Sequence, residues 1–135
     1  MRKNITYLAM SLFLLMGMSN VFAQDKYGAE PEKCGQYLSL FHESVKGKNF
    51  KDAYEYWLWC FENCPKASKL IYSDGLKIAE DKAEQGEKEV AGKLIDDIYT
   101  KRVQYFPDNL GKVYSDWSIS LEERGESNEK VFEKL

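Results

Sequence analysis

Apolar residues along this chain recur every third or fourth position and rarely every second, a pattern that predicts helices and no strands. The first stripe, Cys34, Tyr37, Leu38, Phe41 and Val45, lies between Pro31, suited to a first helical turn, and Gly47, suited to a stop. Asn49 stands where a second helix would be capped, with Asp52 in its first turn. That helix carries Phe50, Ala53, Tyr54, Trp57, Cys60, Phe61 and Cys64 on one stripe, and Pro65 ends it. A third is expected from about Ser68 to Gln85, stopping at Gly86. The fourth runs from Glu87 to Phe106, ahead of Pro107, on Val90, Ala91, Leu94, Ile95, Ile98 and Val103. A fifth spans about Leu110 to Arg124 and buries Leu110, Val113, Tyr114, Trp117 and Leu121, with Gly125 after it. Ser127 or Asn128 starts a sixth through Val131, Phe132 and Leu135, barely two turns long. All loops are short, which makes successive helices antiparallel neighbours. The chain therefore divides into hairpins of about 31–65, 68–106 and 110–135.

The first 23 residues differ in kind. Arg2 and Lys3 give a positive start, and an apolar stretch runs from Ile5 to Met18, broken by Thr6, Ser11 and Gly17. Val21-Phe22-Ala23 then offers an A-x-A-like cleavage site before Gln24. Residues 1–23 have the layout of a secretory signal peptide. The apolar run is shorter than the roughly 20 residues a spanning helix needs, and no later stretch is apolar enough to serve. No cysteine follows the site to carry a lipid. Residues 24–30 are expected to be an extended N-terminal segment, and residues 31–135 the folded domain.

Export changes the reading of Cys34, Cys60 and Cys64, because an oxidising compartment favours pairing over zinc binding. Cys60 and Cys64 sit four apart on one helix, about 5–6 Å apart at Cβ, too far for a relaxed bridge. Cys34 opens the first helix and Cys64 closes the second, so antiparallel packing brings those two ends together. A Cys34–Cys64 bridge is expected, with Cys60 as a small core residue; such a staple stabilises a small fold by about 3 kcal/mol. A metal site from the three cysteines and His42, the single histidine, is the rival, and its spacing matches no usual zinc pattern.

Helix pairs invite a search for a repeat. The run Gly47-Lys48-Asn49-Phe50-Lys51-Asp52-Ala53-Tyr54 resembles the turn and second-helix start of a tetratricopeptide repeat. With Ala53 as that family's small residue, Tyr37, Leu40, Trp57, Cys60 and Pro65 fall at its aromatic, leucine, aromatic, small and proline positions. Phe41 departs from the pattern, since a small residue is usual there, and the ring should push the two helices apart. The second pair repeats the device with Ala79 and Ala91, at the spacing of Phe41 and Ala53, flanked by Gly75, Ile78, Ile95 and Ile98. Pro107 comes late, so the fourth helix should be longer than the family norm. The third pair is partial, with Trp117, Leu121, Gly125 and Val131 or Phe132. The start at Ala23-Gln24 and the Asp-Lys-Tyr-Gly stretch after it resemble secreted members of this family in the Bacteroidota. The resemblance implies an all-α fold of antiparallel hairpins stacked as a short right-handed solenoid, five helices plus a truncated sixth. A bundle of the same helices without repeat ancestry is the alternative.

Little in the sequence carries chemistry. No local signature of a nucleophile, a phosphate loop or an HExxH zinc site is present, so no catalytic residue, metal or cofactor is assigned and an enzyme is not expected. The net charge of −3 becomes more negative once Arg2 and Lys3 are removed, which argues against nucleic acid. Glu80, Asp81, Glu84, Glu87 and Glu89 cluster with Lys82 and Lys88 interleaved, as on a solvated helix face. Binding remains. By the resemblance, the first helix of each pair lines a groove through Gly35, Leu38, His42, Val45 and Lys46, then Ser73, Leu76, Glu80, Ala83 and Glu84. That set suits a basic or amphipathic segment better than an acidic tail. A second candidate surface is the off-stripe cluster Tyr56, Leu58 and Trp59, which either anchors a partner or packs on the N-terminal segment. The expected function is an exported scaffold or adaptor that binds a protein or peptide in the periplasm or cell envelope of a Gram-negative bacterium. A helical module that stacks a small molecule or glycan on Trp57, Trp59 or Trp117 is the alternative. Because the sixth helix is so short, the chain is expected to belong to a longer array, or to dock its open C-terminal face on a partner or a second copy.

Overall fold

Pro31 fixes the backbone angle of a first helical turn, and the chain coils from there as Pro31–Lys46, helix α1. The computed structural model describes residues 25–133; the expected signal peptide, and Leu135 of the expected sixth helix, lie outside them. Helix α2 is Phe50–Asn63, α3 Leu70–Glu84, α4 Lys88–Tyr105, α5 Leu110–Glu123 and α6 the short Glu129–Phe132. No strand occurs among the described residues. The first five helices lie within two residues of their expected bounds, and the sixth starts within two of its own and ends at Phe132. The N-terminal segment differs: residues 25–27 are helical, not extended. Gly28 follows at a φ of +73°, packed so closely on the Asn63 carbonyl that no Cβ would fit.

Three turns inside the hairpins share one design. Lys48, Gly86 and Gly125 each adopt positive φ just past a helix end. The next residue's N–H then reaches back to a carbonyl near the end of the preceding helix: Asn49 to Ser44 at 2.8 Å, Glu87 to Lys82 at 3.0 Å, Glu126 to Leu121 at 2.8 Å. This closure satisfies carbonyls that the helix itself leaves open. The stop after α1 falls on Lys48, because Gly47 keeps a negative φ. At the next helix start, the Asn49 side chain donates to Asp52 at 2.5 Å and makes no backbone cap.

Apolar stripes from all three hairpins merge into one core. Helix α1 packs along α2 and α3 along α4 to a similar extent. Phe41, fully buried at the first crossing, therefore does not spread its helices as expected, and the small Ala53 and Cys60 opposite are equally buried. Cys34 and Cys64 form the expected disulfide, tying the start of α1 to the end of α2 with Cα atoms 6.4 Å apart. Cys60 is free and buried. Burial pushes its thiol up to about 12, so it stays protonated and unreactive.

The hairpins join by two different seams. At the first, α3 contacts both α1 and α2. Trp57 lies against Gly75, where an added Cβ would come within 2.7 Å of the indole, and donates its N–H to the Ile71 carbonyl at 2.6 Å. At the second seam the α5 backbone lies close to α4 and stands away from that of α3. Trp117 stacks on Tyr99 at 5.7 Å and donates to the Asp96 carboxylate at 2.8 Å. Asp96 also accepts from Arg124 at 2.7 Å and Lys130 at 3.1 Å, so one carboxylate of α4 holds both helices of the third hairpin.

Candidate functional site

An open cleft lies where α5 stands away from α3. Its walls are α3 and α5 and its floor is α4, with a volume of about 750 Å³. Leu76, Ala91, Ile95 and Tyr99 line its apolar part, and Ile119 on the α5 wall is 50 % exposed. The cleft owes its width to the second seam. Helix α4 has 18 residues against 14 in α2, and Pro107 turns the chain correspondingly late. Arg102 ties that late turn by donating to the Phe106 and Asp108 carbonyls. Gly92 lets Arg124 lie across α4, since a Cβ there would come within 2.7 Å of its guanidinium.

The rim is acidic. Glu80, Glu84, Glu89 and Glu123 border the cleft, and none of them has a salt-bridge partner among the described residues. Burial, then the charges of Glu84 and Glu123, push the Glu80 carboxyl above its ordinary value, with Lys77 pulling it back. Burial, then Asp116 and Glu80, push the Tyr99 phenol up to about 12. In both, burial leads and the neighbouring carboxylates add to it. Of the basic groups at this end, Arg124 is committed to Asp96 and Glu126, leaving Lys88.

The structure divides the expected groove residues into two sets. Leu76, Glu80, Ala83 and Glu84 line the cleft together. Leu38, His42, Val45 and Lys46 lie on α1, away from it. Val45 is a core residue, 4 % exposed. Lys46 pairs with Glu43 at 3.1 Å. His42 joins α1 to α3 by holding Asp74 through Nδ1 at 2.6 Å; that carboxylate is 1 % exposed and is also reached by Lys77 at 3.3 Å. The α5 wall, with Asp116, Ile119, Ser120 and Glu123, was absent from the expected groove. Its one sequence signal is Ile119, an apolar residue off the stripe of its helix.

The aromatic surface is a different object. Tyr37 meets Tyr56 at 5.0 Å and Trp59 at 5.2 Å, both edge to face, and Lys33 lies over the Trp59 ring at 4.6 Å. Trp59 and Leu58 are half-buried, packed against the core. Of the three tryptophans weighed as stacking platforms, Trp57 and Trp117 are buried with their N–H groups engaged. Only Trp59 keeps exposed ring surface.

The cysteine sulfurs all lie within 4.8 Å of one another, two of them joined in the disulfide. His42, the fourth group of the rival metal site, is turned to Asp74. No helix among the described residues is long and apolar enough to cross a membrane.

No protein family, curated protein or solved structure matches this chain.

Proposed function

We propose that this protein is an exported scaffold of the tetratricopeptide type that seats a segment of a protein partner between α3 and α5. One observation carries the reading: the backbones of the first helices of the second and third hairpins stand apart, leaving an apolar-floored cleft of about 750 Å³ with an exposed isoleucine on its wall. An apolar concavity with a few polar groups at its edge is what a recognition site requires. Support for the repeat reading comes from Ala53, Ala79 and Ala91, all buried where the family has small residues, and from the three matching turns. The disulfide is compatible with an oxidising compartment.

The test is recovery of partners from a Gram-negative envelope extract by wild-type protein and by Ile119→Asp, Leu38→Asp and Trp59→Ala variants. Ile119→Asp should lose the partner, while the other two retain it. Loss with Leu38→Asp or Trp59→Ala, and retention with Ile119→Asp, would move the site to α1 or to the aromatic surface.

A further inference from the structure

The cleft has a direction. A second depression of about 380 Å³ continues it, sharing Leu76, Tyr99 and Asp116 as lining. The linings show that α3 and α5 run the same way along it: their first turns border the smaller depression and their last turns the larger. At the end where both helices begin stand Lys69, Arg102 and Lys112, tempered by Asp108 and Asp116. At the end where both finish stand Glu80, Glu84 and Glu123.

This layout opposes what helices prefer. A helix carries partial positive charge at its N-terminus and partial negative charge at its C-terminus, so acids are favoured at the start and bases at the end. Neither α3 nor α5 has an acid in its first turn, and the base that caps the end of α5, Arg124, donates to the Ser120 carbonyl and is taken up by Asp96 and Glu126. Lys82, the base in the last turn of α3, turns away to Tyr54 and Glu87. Side chains and helix dipoles therefore add. An external helix of opposite polarity would offset both.

Resting on the cleft reading above, we infer that the occupant is one amphipathic helix of a partner protein, lying antiparallel to α3 and α5. Its apolar face sits on Leu76, Ile95 and Ile119. Basic residues fill its N-terminal half, toward Glu80, Glu84 and Glu123, and acidic residues fill its C-terminal half, toward Lys69 and Lys112. Its dipole then opposes those of both walls. The 15 residues of α3 set a groove of about 22 Å at the helical rise, matching roughly four turns of the incoming helix. A helix in an apolar groove is a known mode of peptide recognition; the polarity is what this structure adds.

Selection from a displayed library of 15-residue helical peptides tests the inference. The peptides carry a fixed leucine face and randomised acidic or basic residues elsewhere, and those that also bind the Ile119→Asp protein are removed. Peptides that are basic in the first half and acidic in the second should be enriched, binding at least tenfold tighter than the reversed arrangement. The triple variant Glu80→Lys, Glu84→Lys, Glu123→Lys should invert that preference. Enrichment without charge order, or with the reverse order, overturns the antiparallel occupant while leaving the cleft as a site. If removal of the peptides that bind Ile119→Asp leaves none to enrich, the cleft reading itself fails.

Discussion

Each seam between hairpins is anchored by one tryptophan, and the acceptors of the two indoles set the seams apart. Trp57 donates to a backbone carbonyl, that of Ile71, and rests on Gly75 with Phe61 stacked beside it at 4.9 Å. Trp117 donates to the carboxylate of Asp96, which two cations also share. A carbonyl neither titrates nor attracts counterions, so the first seam depends on packing. A carboxylate does both, so the second depends on charge as well. The molecule thus has a permanent joint and a conditional one, and the cleft opens along the conditional one.

Removing the first anchor should have the largest effect. Trp57→Ala leaves a cavity where α2 meets α3 and should cost about 3–5 kcal/mol. Urea unfolding followed by tyrosine and tryptophan fluorescence would show it as a lower midpoint. A loss below 1 kcal/mol would mean that packing at this seam is not what joins the hairpins.

Asp96→Ala attacks the other joint and should cost about 2–3 kcal/mol, since it removes charged hydrogen bonds and leaves the Trp117 N–H without its partner. Hydrogen exchange should report lost protection in α5 and α6, with α1 to α3 unchanged. The same joint should weaken in acid. Burial alone would raise the Asp96 carboxyl, but hydrogen bonds from Arg124, Trp117 and Lys130 outweigh it and hold the group below its ordinary 3.8. Its folded pKa is thus lower than its unfolded one. The stability it contributes is complete above the unfolded value and disappears as pH falls through the folded one. Acid should therefore loosen α5 and α6 in the wild type and add little in Asp96→Ala. Equal loss of protection in all three hairpins would contradict the division into two joints.

Glu80→Gln should have the smallest effect and the opposite sign. The folded pKa of Glu80 is raised, so its charged form is disfavoured in the folded state at neutral pH. The amide should stabilise the protein there by less than about 0.5 kcal/mol. That gain should vanish as pH falls through the raised folded value, where Glu80 binds its own proton. A loss of thermal stability at neutral pH would show that the rim of the cleft is not under repulsion.

Local order was legible in the sequence; the cleft was half legible. Pro31, Gly86, Gly125 and Pro107 mark helix ends by their own backbone chemistry, and the stripe spacing predicts the buried faces except at Val90, which is 54 % exposed. The Cys34–Cys64 pairing follows once α1 and α2 are antiparallel. Lys48 was missed as the positive-φ residue because Gly47 beside it is the cheaper candidate. The α3 wall was read from the repeat pattern, but the α5 wall was not. Its distance from α3 depends on the added length of α4 and on the Asp96–Arg124 contact, which joins residues far apart in sequence. His42 and Asp74 escaped for the same reason: each fits a surface position until the other is placed beside it.

Cys60 has a practical consequence. Its thiol is fully buried in the first hairpin and stays protonated because burial raises its pKa. While the hairpin is closed, an alkylating reagent has neither access to the sulfur nor a thiolate to attack. Each labelled molecule therefore marks one opening of α1 from α2. The protein carries its own clock for the first hairpin, with no probe to be attached.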